Sequence, residues 1–131
     1  MRITAFNPQI VTKNADPLIQ LFEELGFEKR HIKEGEGGPD IPNIKSVRLK
    51  DANGFSIDVA QVDVGQAQDT VTIRLNVDNF QEAYNILLSH GFKNEFGDRI
   101  VETGSSRSTA MSSPTGFKIT LIQHIKNNKD N

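Results

Sequence analysis

Two arginines and one aspartate, each on a predicted strand, are the residues of this chain best suited to binding or catalysis. Because side chains alternate along a strand, Arg48, Arg74 and Asp58 are predicted to share the strand faces that point away from the helices. A guanidinium binds a carboxylate or a phosphate through paired hydrogen bonds. The pattern therefore indicates a site for an anionic or strongly polar small molecule.

Internal pairing is the alternative interpretation. Arg48 or Arg74 would then neutralise Asp58, because buried charges are usually paired whether or not a ligand binds. Asp58 is also the candidate catalytic residue, as a general base beside an arginine that stabilises an enolate. Burial would raise the pKa of Asp58 towards neutrality, whereas an adjacent arginine would lower it.

Polar residues on the same strand faces are predicted to complete the site. His124 is included because it shares the strand parity of Thr120. The predicted ligand-binding set is Asn7, Gln9, Arg48, Asp58, Thr72, Arg74, Asn76, Ser112, Thr120 and His124.

The other two histidines have structural explanations. His90 lies in the last turn of a predicted helix, where a cation complements the helix dipole. His31 opens a strand among charged residues, and we expect it on a solvated face.

The strands that carry these residues belong to an internal duplication. The segment GFSIDVAQ at 54–61 returns as GFKITLIQ at 116–123, with Gly, Phe, Ile and Gln in register. Gly-Phe pairs at 26–27 and 91–92, at nearly the same spacing, each close an apolar helical pattern. Two copies of one supersecondary module in a single domain explain this arrangement better than a solenoid, which needs more and shorter repeats.

One helix is predicted in each copy. In the first, Asp16 caps the helix start before Pro17, and an apolar stripe runs to about Leu25 before Gly26. In the second, Asn79 and Glu82 have the spacing of a capping box. The stripes that face the core are Leu18, Ile19, Phe22 and Leu25 in the first helix, and Phe80, Ala83, Tyr84, Leu87 and Leu88 in the second, which ends at Gly91.

Strands precede and follow each helix, so each module reads βαβββ. The preceding strands span 6–12 and 70–77. Val71, Ile73, Leu75 and Val77 are predicted to face the helices, as are Phe55, Ile57 and Val59 and their repeats Phe117, Ile119 and Leu121. Two curved sheets with polar inner faces would enclose a ligand-sized cavity where the modules meet. The loops 34–43 and 97–107 either cover its mouth or are plain connections.

Composition limits the function classes. The chain has 131 residues, no cysteine and a formal charge of −2, so we expect no disulfides and no nucleic-acid partner. No stretch is long and apolar enough to span a bilayer or to serve as a signal peptide. We expect a soluble, cytoplasmic protein without membrane contact: one α+β domain at 1–126, with modules at 1–65 and 69–126, and a polar tail at 127–131.

The chain resembles the vicinal oxygen chelate superfamily of glyoxalase I, extradiol dioxygenases and bleomycin-resistance proteins. The resemblance spans about residues 3–125 and rests on the paired modules, the Leu-Gly-Phe helix end and the segment SPTGFKITL at 113–121, which is similar to the family's DPDGxxIEL turn and strand. It implies a glyoxalase-like curved-sheet fold.

The resemblance also places the family's metal ligands on this chain. The positions fall near Asn7 and Thr72 on the first strands, and on Asp58 and Thr120 on the last strands. One carboxylate, one amide and two hydroxyls make a poor zinc or nickel site and supply little charge for magnesium or calcium. We therefore expect no metal and no other cofactor.

Two functions follow from the resemblance and stay open. We favour a metal-free small-molecule-binding protein of the glyoxalase/bleomycin-resistance type, with a polar or anionic ligand and as a homodimer, as is frequent among relatives. The alternative is a glyoxalase-like lyase or isomerase, or a dioxygenase-related enzyme, with non-standard site residues. A structural interaction module with a filled core is a third interpretation, for which Val11 and Ile122 are the obvious apolar side chains.

Overall fold

A computed structural model of the chain describes residues 1–35 and 44–125. Most of the predicted loop at 34–43 and the predicted tail at 127–131 lie outside the described residues. In chain order the elements are β1 (Ile3–Thr12), α1 (Asp16–Glu24), β2 (Glu28–Gly35), β3 (Ile44–Lys50), β4 (Ser56–Gln61), β5 (Thr70–Val77), α2 (Phe80–Ser89), β6 (Lys93–Asn94), β7 (Val101–Glu102), β8 (Ser106–Ser112) and β9 (Lys118–His124).

The chain divides into two compact units. The first is Asn7–Val71, and the second consists of Met1–Phe6 with the chain from Thr72 onward. The N-terminal residues join the second unit through Arg2, whose backbone N donates to Asp78 Oδ1 (2.6 Å) and whose O accepts from Asp78 N (3.0 Å).

In the first unit the strands follow the order β2-β3-β4-β1, with β1 parallel to β4 and the other pairs antiparallel. Helix α1 packs on one face of this sheet. The core there consists of Ala15, Ile19, Val47, Leu49, Ile57 and Val59. Strand alternation leaves the opposite face to polar side chains.

The second unit repeats this plan with the order β5-β9-β8-β6, in which β5 is parallel to β9. Its core is Val77, Phe80, Ala83 and Leu121. Strands β6 and β7 both pair with β8, so the second strand of this βαβββ module is interrupted. The predicted α+β fold with two βαβββ modules is confirmed, whereas the predicted loop at 97–107 was partly wrong because it contains β7 and the start of β8.

One glutamine in each unit ties the fourth strand of the module to the start of its helix. Gln61 Oε1 accepts the N–H of Ala15 (2.9 Å) just before α1. Gln123 Oε1 accepts the N–H of Phe80 (2.7 Å) at the start of α2, and its Nε2 donates to Asp78 O (3.1 Å). The first amides of a helix have no partner within the helix, so each glutamine satisfies one of them. These are the two glutamines that the duplication repeats.

The helix starts differ in part from the prediction. The Asp16 cap was wrong, because the Asp16 carboxylate makes no capping bond and lies 3.6 Å from Lys45 Nζ instead. At the second helix, Asn79 Oδ1 accepts from Glu82 N (3.1 Å) as predicted. The Glu82 carboxylate lies 3.3 Å from the N-terminal ammonium of Met1. Gly91 ends α2 at φ +86°, and a Cβ there would lie 3.0 Å from Pro114 Cγ.

The phenylalanines of the repeat lie in turns, not in the core. Phe55 and Phe117 are 66% and 47% exposed, because β4 and β9 begin one residue later. In each turn, a side-chain oxygen accepts a hydrogen bond from the phenylalanine amide four residues later. Asp51 Oδ1 accepts from Phe55 N (2.8 Å), and Ser113 Oγ accepts from Phe117 N (2.9 Å). Leu25, Val71 and Leu88, which were also predicted to face the core, are exposed as well. The buried faces of the two helices and of β5 are therefore narrower than expected.

Removing either glutamine should loosen its helix. We expect Gln61→Ala and Gln123→Ala each to lose about 1 kcal/mol in the free energy of unfolding, as for loss of a helix cap. Gln61→Glu should stay close to wild type, since only the oxygen acceptor is used and a carboxylate suits a helix N-terminus. Gln123→Glu should lose stability, because a carboxylate would face the Asp78 carbonyl.

Urea unfolding measures these differences, with Gln20→Ala on the exposed side of α1 as the control. Equal losses in Gln123→Ala and Gln20→Ala would contradict a role for the repeated glutamine.

Candidate functional site

Three neighbouring strands bring polar residues together on one sheet face of the first unit. In the register, Gln9 of β1 lies beside Asp58 of β4, and Arg48 of β3 lies on the other side of Asp58. Asn7 shares the face because it lies two residues before Gln9. Asn7, Gln9 and Asp58 are buried, with Asp58 only 2% exposed.

An ion pair joins the two charged members of this face. Arg48 Nε donates to Asp58 Oδ1 at 3.1 Å, and a third of the arginine side chain is exposed. One of the two predicted pairings, that of Arg48 with Asp58, is therefore present in the structure. Such a pair, buried at the carboxylate and open at the guanidinium, fixes the arginine in place while leaving it accessible to solvent.

Burial dominates the acidity of Asp58. Loss of hydration raises the pKa of this carboxyl above its ordinary value of 3.8, although Arg48, a hydrogen bond from Asn7 and the charge of His31 each act to lower it. The two opposing effects recognised from sequence are both present, and burial is the larger. Asp58 therefore holds a proton more readily than an ordinary aspartate does.

His31 lies on this polar face, which the sequence interpretation missed. It is exposed, as expected of a solvated strand. However, a shift in the β2–β3 register between Lys29 and His31 sets His31 directly opposite Arg48. No sequence signal marks this irregularity, since β2 is charged at almost every position.

A second polar face lies in the second unit. Thr72, Arg74 and Asn76 of β5 alternate along it and are all buried. Thr72 Oγ1 lies 2.9 Å from Thr120 Oγ1, and Arg74 Nη2 lies 3.5 Å from His124 Nε2. Of the predicted set, the structure thus brings Thr72, Arg74, Thr120 and His124 together in this unit.

Asn76 and three serines extend this second face. Asn76 lies beside Ile122 in the register, and Ser108 lies beside Ile122 on its other side. The buried Asn76 Oδ1 has no hydrogen-bond partner among the described residues. Ser112 is at the far end, opposite Lys118, and the buried Ser106 is opposite His124. Alternation along 106–112 could have found Ser106 and Ser108.

Metal ligands do not gather on these faces. Within residues 1–35 and 44–125, no three His, Cys, Asp or Glu side chains lie close enough together to hold a metal ion. The four residues at which the sequence resemblance predicted the metal positions, Asn7, Asp58, Thr72 and Thr120, include a single carboxylate, and one carboxylate with an amide and two hydroxyls is a poor ligand set for the common ions.

A cleft of about 210 Å³ lies on the other side of the first sheet, between α1 and strands β2 and β3. Its lining combines apolar side chains with charges of both signs. The lining residues are Asp16, Ile19, Gln20, Glu23, Lys29, Ile32, Lys45 and Val47. None of them belongs to the predicted site.

Neither α1 nor α2, the helices of the described part of the chain, has the length and apolar character that crossing a membrane requires.

Comparison with known proteins identifies the fold. No protein-family model and no curated protein matches the sequence. Among solved structures, methylmalonyl-CoA epimerase from Mycobacterium tuberculosis is similar with a TM-score of 0.67 at 14% identity, over 98% of this chain and 93% of that one. A glyoxalase/bleomycin resistance protein/dioxygenase superfamily member from Vibrio splendidus is similar with a TM-score of 0.53 at 15% identity, over 93% and 99%.

A variant of the Streptomyces coelicolor methylmalonyl-CoA epimerase in complex with 2-nitronate-propionyl-CoA is also similar, with a TM-score of 0.62 at 14% identity over 95% of this chain and 100% of that one. At these identities the comparison shows the fold alone. The chain therefore has the vicinal oxygen chelate fold that its sequence resembles.

Replacing Asp58 with asparagine should change how stability depends on pH. Since folding raises the pKa of Asp58, the native carboxyl binds a proton at pH values where the unfolded chain has released it. Linkage then makes the wild type lose stability as the pH rises from 3.8 through the native pKa of Asp58. Asparagine does not titrate, so the stability of Asp58→Asn relative to wild type should increase over that range.

Urea unfolding from pH 4 to pH 8 tests this expectation. Asp98→Asn, a change at an exposed residue, serves as the control and should follow the wild type. A difference between Asp58→Asn and wild type that stays constant with pH would show that the native pKa of Asp58 is not raised.

Proposed function

We propose that this chain, which has the vicinal oxygen chelate fold, binds an anionic or strongly polar small molecule without a metal, and that Arg48 is its principal anchor. The observation that carries the proposal is the ion pair between the buried Asp58 carboxylate and Arg48 Nε (3.1 Å). A buried partner that holds an arginine by one nitrogen positions the remaining guanidinium nitrogens for a second partner.

The free edge of this guanidinium supports anion binding. Within the described part of the chain, Asp58 is the partner of Arg48, and the contact uses Nε. The two terminal nitrogens therefore keep the geometry that suits a carboxylate, sulfate or phosphate oxygen pair. Partial exposure of the side chain lets a ligand reach them, and the pair with Asp58 limits the side-chain entropy that binding would cost.

The second polar face supports a polar ligand of the same kind. Arg74 contributes another guanidinium, next to the hydroxyls of Thr72 and Thr120. Asn76 Oδ1, buried without a partner among the described residues, suits a ligand that donates a hydrogen bond. The predicted cavity where the modules meet, the homodimer and the cytoplasmic location all stay predictions.

A flat aromatic ligand is not favoured. The chain has no tryptophan, and its single tyrosine, Tyr84, stacks on Phe80 in the core of the second unit (5.8 Å between ring centroids). Neither polar face therefore offers tyrosine or tryptophan for stacking.

An enzyme is the second candidate, and the raised pKa of Asp58 favours it. A carboxylate whose pKa lies above 3.8 is a stronger base than an ordinary aspartate, and Arg48 beside it could stabilise an enolate oxygen. The epimerases among the similar structures suggest an acyl-CoA with an acidic α-hydrogen as the first substrate to test. We rank this candidate second because Asp58 is already paired with Arg48.

Loss of the Arg48 fork should weaken anion binding. We expect Arg48→Gln to reduce the affinity for small carboxylates, sulfate and phosphate by about tenfold or more, as for loss of a charge-assisted hydrogen-bond pair. Arg48→Lys keeps the positive charge but loses the paired guanidinium donors, so its affinity should lie between those of wild type and Arg48→Gln. Lys29→Gln, with the same change in charge on the other face of the sheet, should bind as the wild type does.

Calorimetric titration of chelator-treated protein measures these affinities, after a thermal-shift screen of anions. Elemental analysis beforehand confirms that no metal remains, and circular dichroism confirms that each variant folds. Equal affinity in Arg48→Gln and Lys29→Gln would remove Arg48 from the site, and binding that returns only with added metal would contradict a metal-free protein.

Proton exchange distinguishes the enzyme from the binding protein. If the chain is an epimerase-like enzyme, it should speed the incorporation of deuterium at the α-carbon of methylmalonyl-CoA in D₂O, as followed by proton NMR. Asp58→Asn should then lose this exchange by about 100-fold or more, the usual contribution of a general base, while still binding the substrate. If wild type exchanges the α-hydrogen no faster than the uncatalysed reaction, methylmalonyl-CoA is not a substrate, and the binding protein remains the favoured proposal.

A further inference from the structure

We infer that His31 is the second cation of the Arg48 site, so that protonated His31 and Arg48 together hold an oxyanion and the affinity for the anion rises as the pH falls. This inference rests on the proposed function, because it names a further residue and a regulation of that same site. The sequence interpretation gave His31 no role.

A β-bulge puts His31 in this position. Lys29 pairs with Leu49, but the next pair along the strands is His31 with Arg48. Arg30 is therefore the extra residue of the bulge. In a strand without the bulge, Arg30 would lie opposite Arg48, and the His31 side chain would lie on the helix side of the sheet. Bulges commonly re-aim a side chain next to a functional site.

Direct opposition brings the two side chains within reach of one small ligand. Residues opposite each other on antiparallel strands have Cβ atoms about 5 Å apart and point to the same side of the sheet. The charge of His31 also acts on Asp58, which is the buried partner of Arg48. His31, Arg48 and Asp58 therefore form one electrostatic cluster across β2, β3 and β4.

Charge balance in this cluster calls for an anion once His31 is protonated. Two cations then lie directly opposite each other, which is unfavourable on a sheet, and they share a single buried carboxylate. A bound oxyanion would offset the excess charge. Among the described residues of β2 and β3, the other charged side chains at this face are Lys33 and Lys50, both exposed. Glu28 lies opposite Lys50, and its carboxylate is 3.7 Å from Arg30 Nη2.

Sulfate is the appropriate probe, because it does not titrate near neutrality and any pH effect then belongs to the protein. Histidine is the side chain that commonly changes its charge between pH 5 and pH 8. We expect wild type to bind sulfate about tenfold more tightly at pH 5.5 than at pH 7.5, the gain of one charge-assisted hydrogen bond. Calorimetric titration measures the affinities, with the ionic strength held constant by a chloride salt.

Three variants at two histidines test the assignment. His31→Gln should bind sulfate weakly at both pH values, and His31→Lys should bind it tightly at both, because lysine stays charged. His90→Gln, a histidine change at the end of α2 in the second unit, should keep the pH dependence of the wild type.

Asp58 is the competing source of a pH effect, since its protonation would also leave Arg48 with excess charge. Asp58→Asn removes this source, and under our inference it keeps the dependence on pH. A dependence that survives in His31→Gln, or that disappears in Asp58→Asn alone, would overturn the role of His31.

Failure of the inference is distinguishable from failure of the proposed function. If Arg48→Gln loses sulfate binding while His31→Gln behaves as wild type at each pH, Arg48 still anchors the ligand and only the role of His31 is wrong. If wild type binds no anion of the screen at either pH, both proposals fail.

Discussion

The cost of burying the Asp58 carboxylate constrains the polar face of the first unit. A charge with 2% exposure needs compensation, and Arg48 on the adjacent strand supplies part of it through Nε, 3.1 Å away. The compensation is incomplete, because burial still raises the pKa of the carboxyl. A partly compensated pair of this kind holds its arginine in place and remains sensitive to added charge, whether that charge comes from His31 or from a ligand.

Much of the fold could be predicted because the repeated sequence segments indicate which features both modules share. Alternating residues identified the strands, and paired Gly-Phe segments identified the helix ends. The sequence could not show that Gln61, and not Asp16, caps the start of α1. A cap supplied by a residue 46 positions away from the amide has no local sequence signature. Nor could the sequence show that Phe55 and Phe117 lie in turns, because the strand pattern extends smoothly into them.

The residues of the candidate site could be predicted wherever regular alternation along a strand shows which side chains share a sheet face. Arg48, Asp58 and Gln9 share one face because their strands are regular there, with each residue in register with the next. His31 was missed for the opposite reason, since the bulge at Arg30 changes the parity of β2 and leaves no mark on a charged sequence. Regular strands can be read from a pattern of period two, whereas a single inserted residue reverses the reading beyond it.

The two modules share more residues on the helix side of the sheet than on the polar side. On the helix side the copies agree: Ile57 and Gln61 correspond to Ile119 and Gln123, and the glutamines make the same bond. On the polar side they differ. The register row of Gln9, Asp58 and Arg48 in the first unit corresponds to Arg74, Thr120 and Ala110 in the second. The shared helix side carries the packing that any copy of the module needs, whereas the polar side carries a carboxylate and its cation in one copy and a cation among hydroxyls in the other. The polar faces of the two units therefore differ in their chemistry: the register row that sets Asp58 beside Arg48 in the first unit has no carboxylate at the equivalent positions of the second.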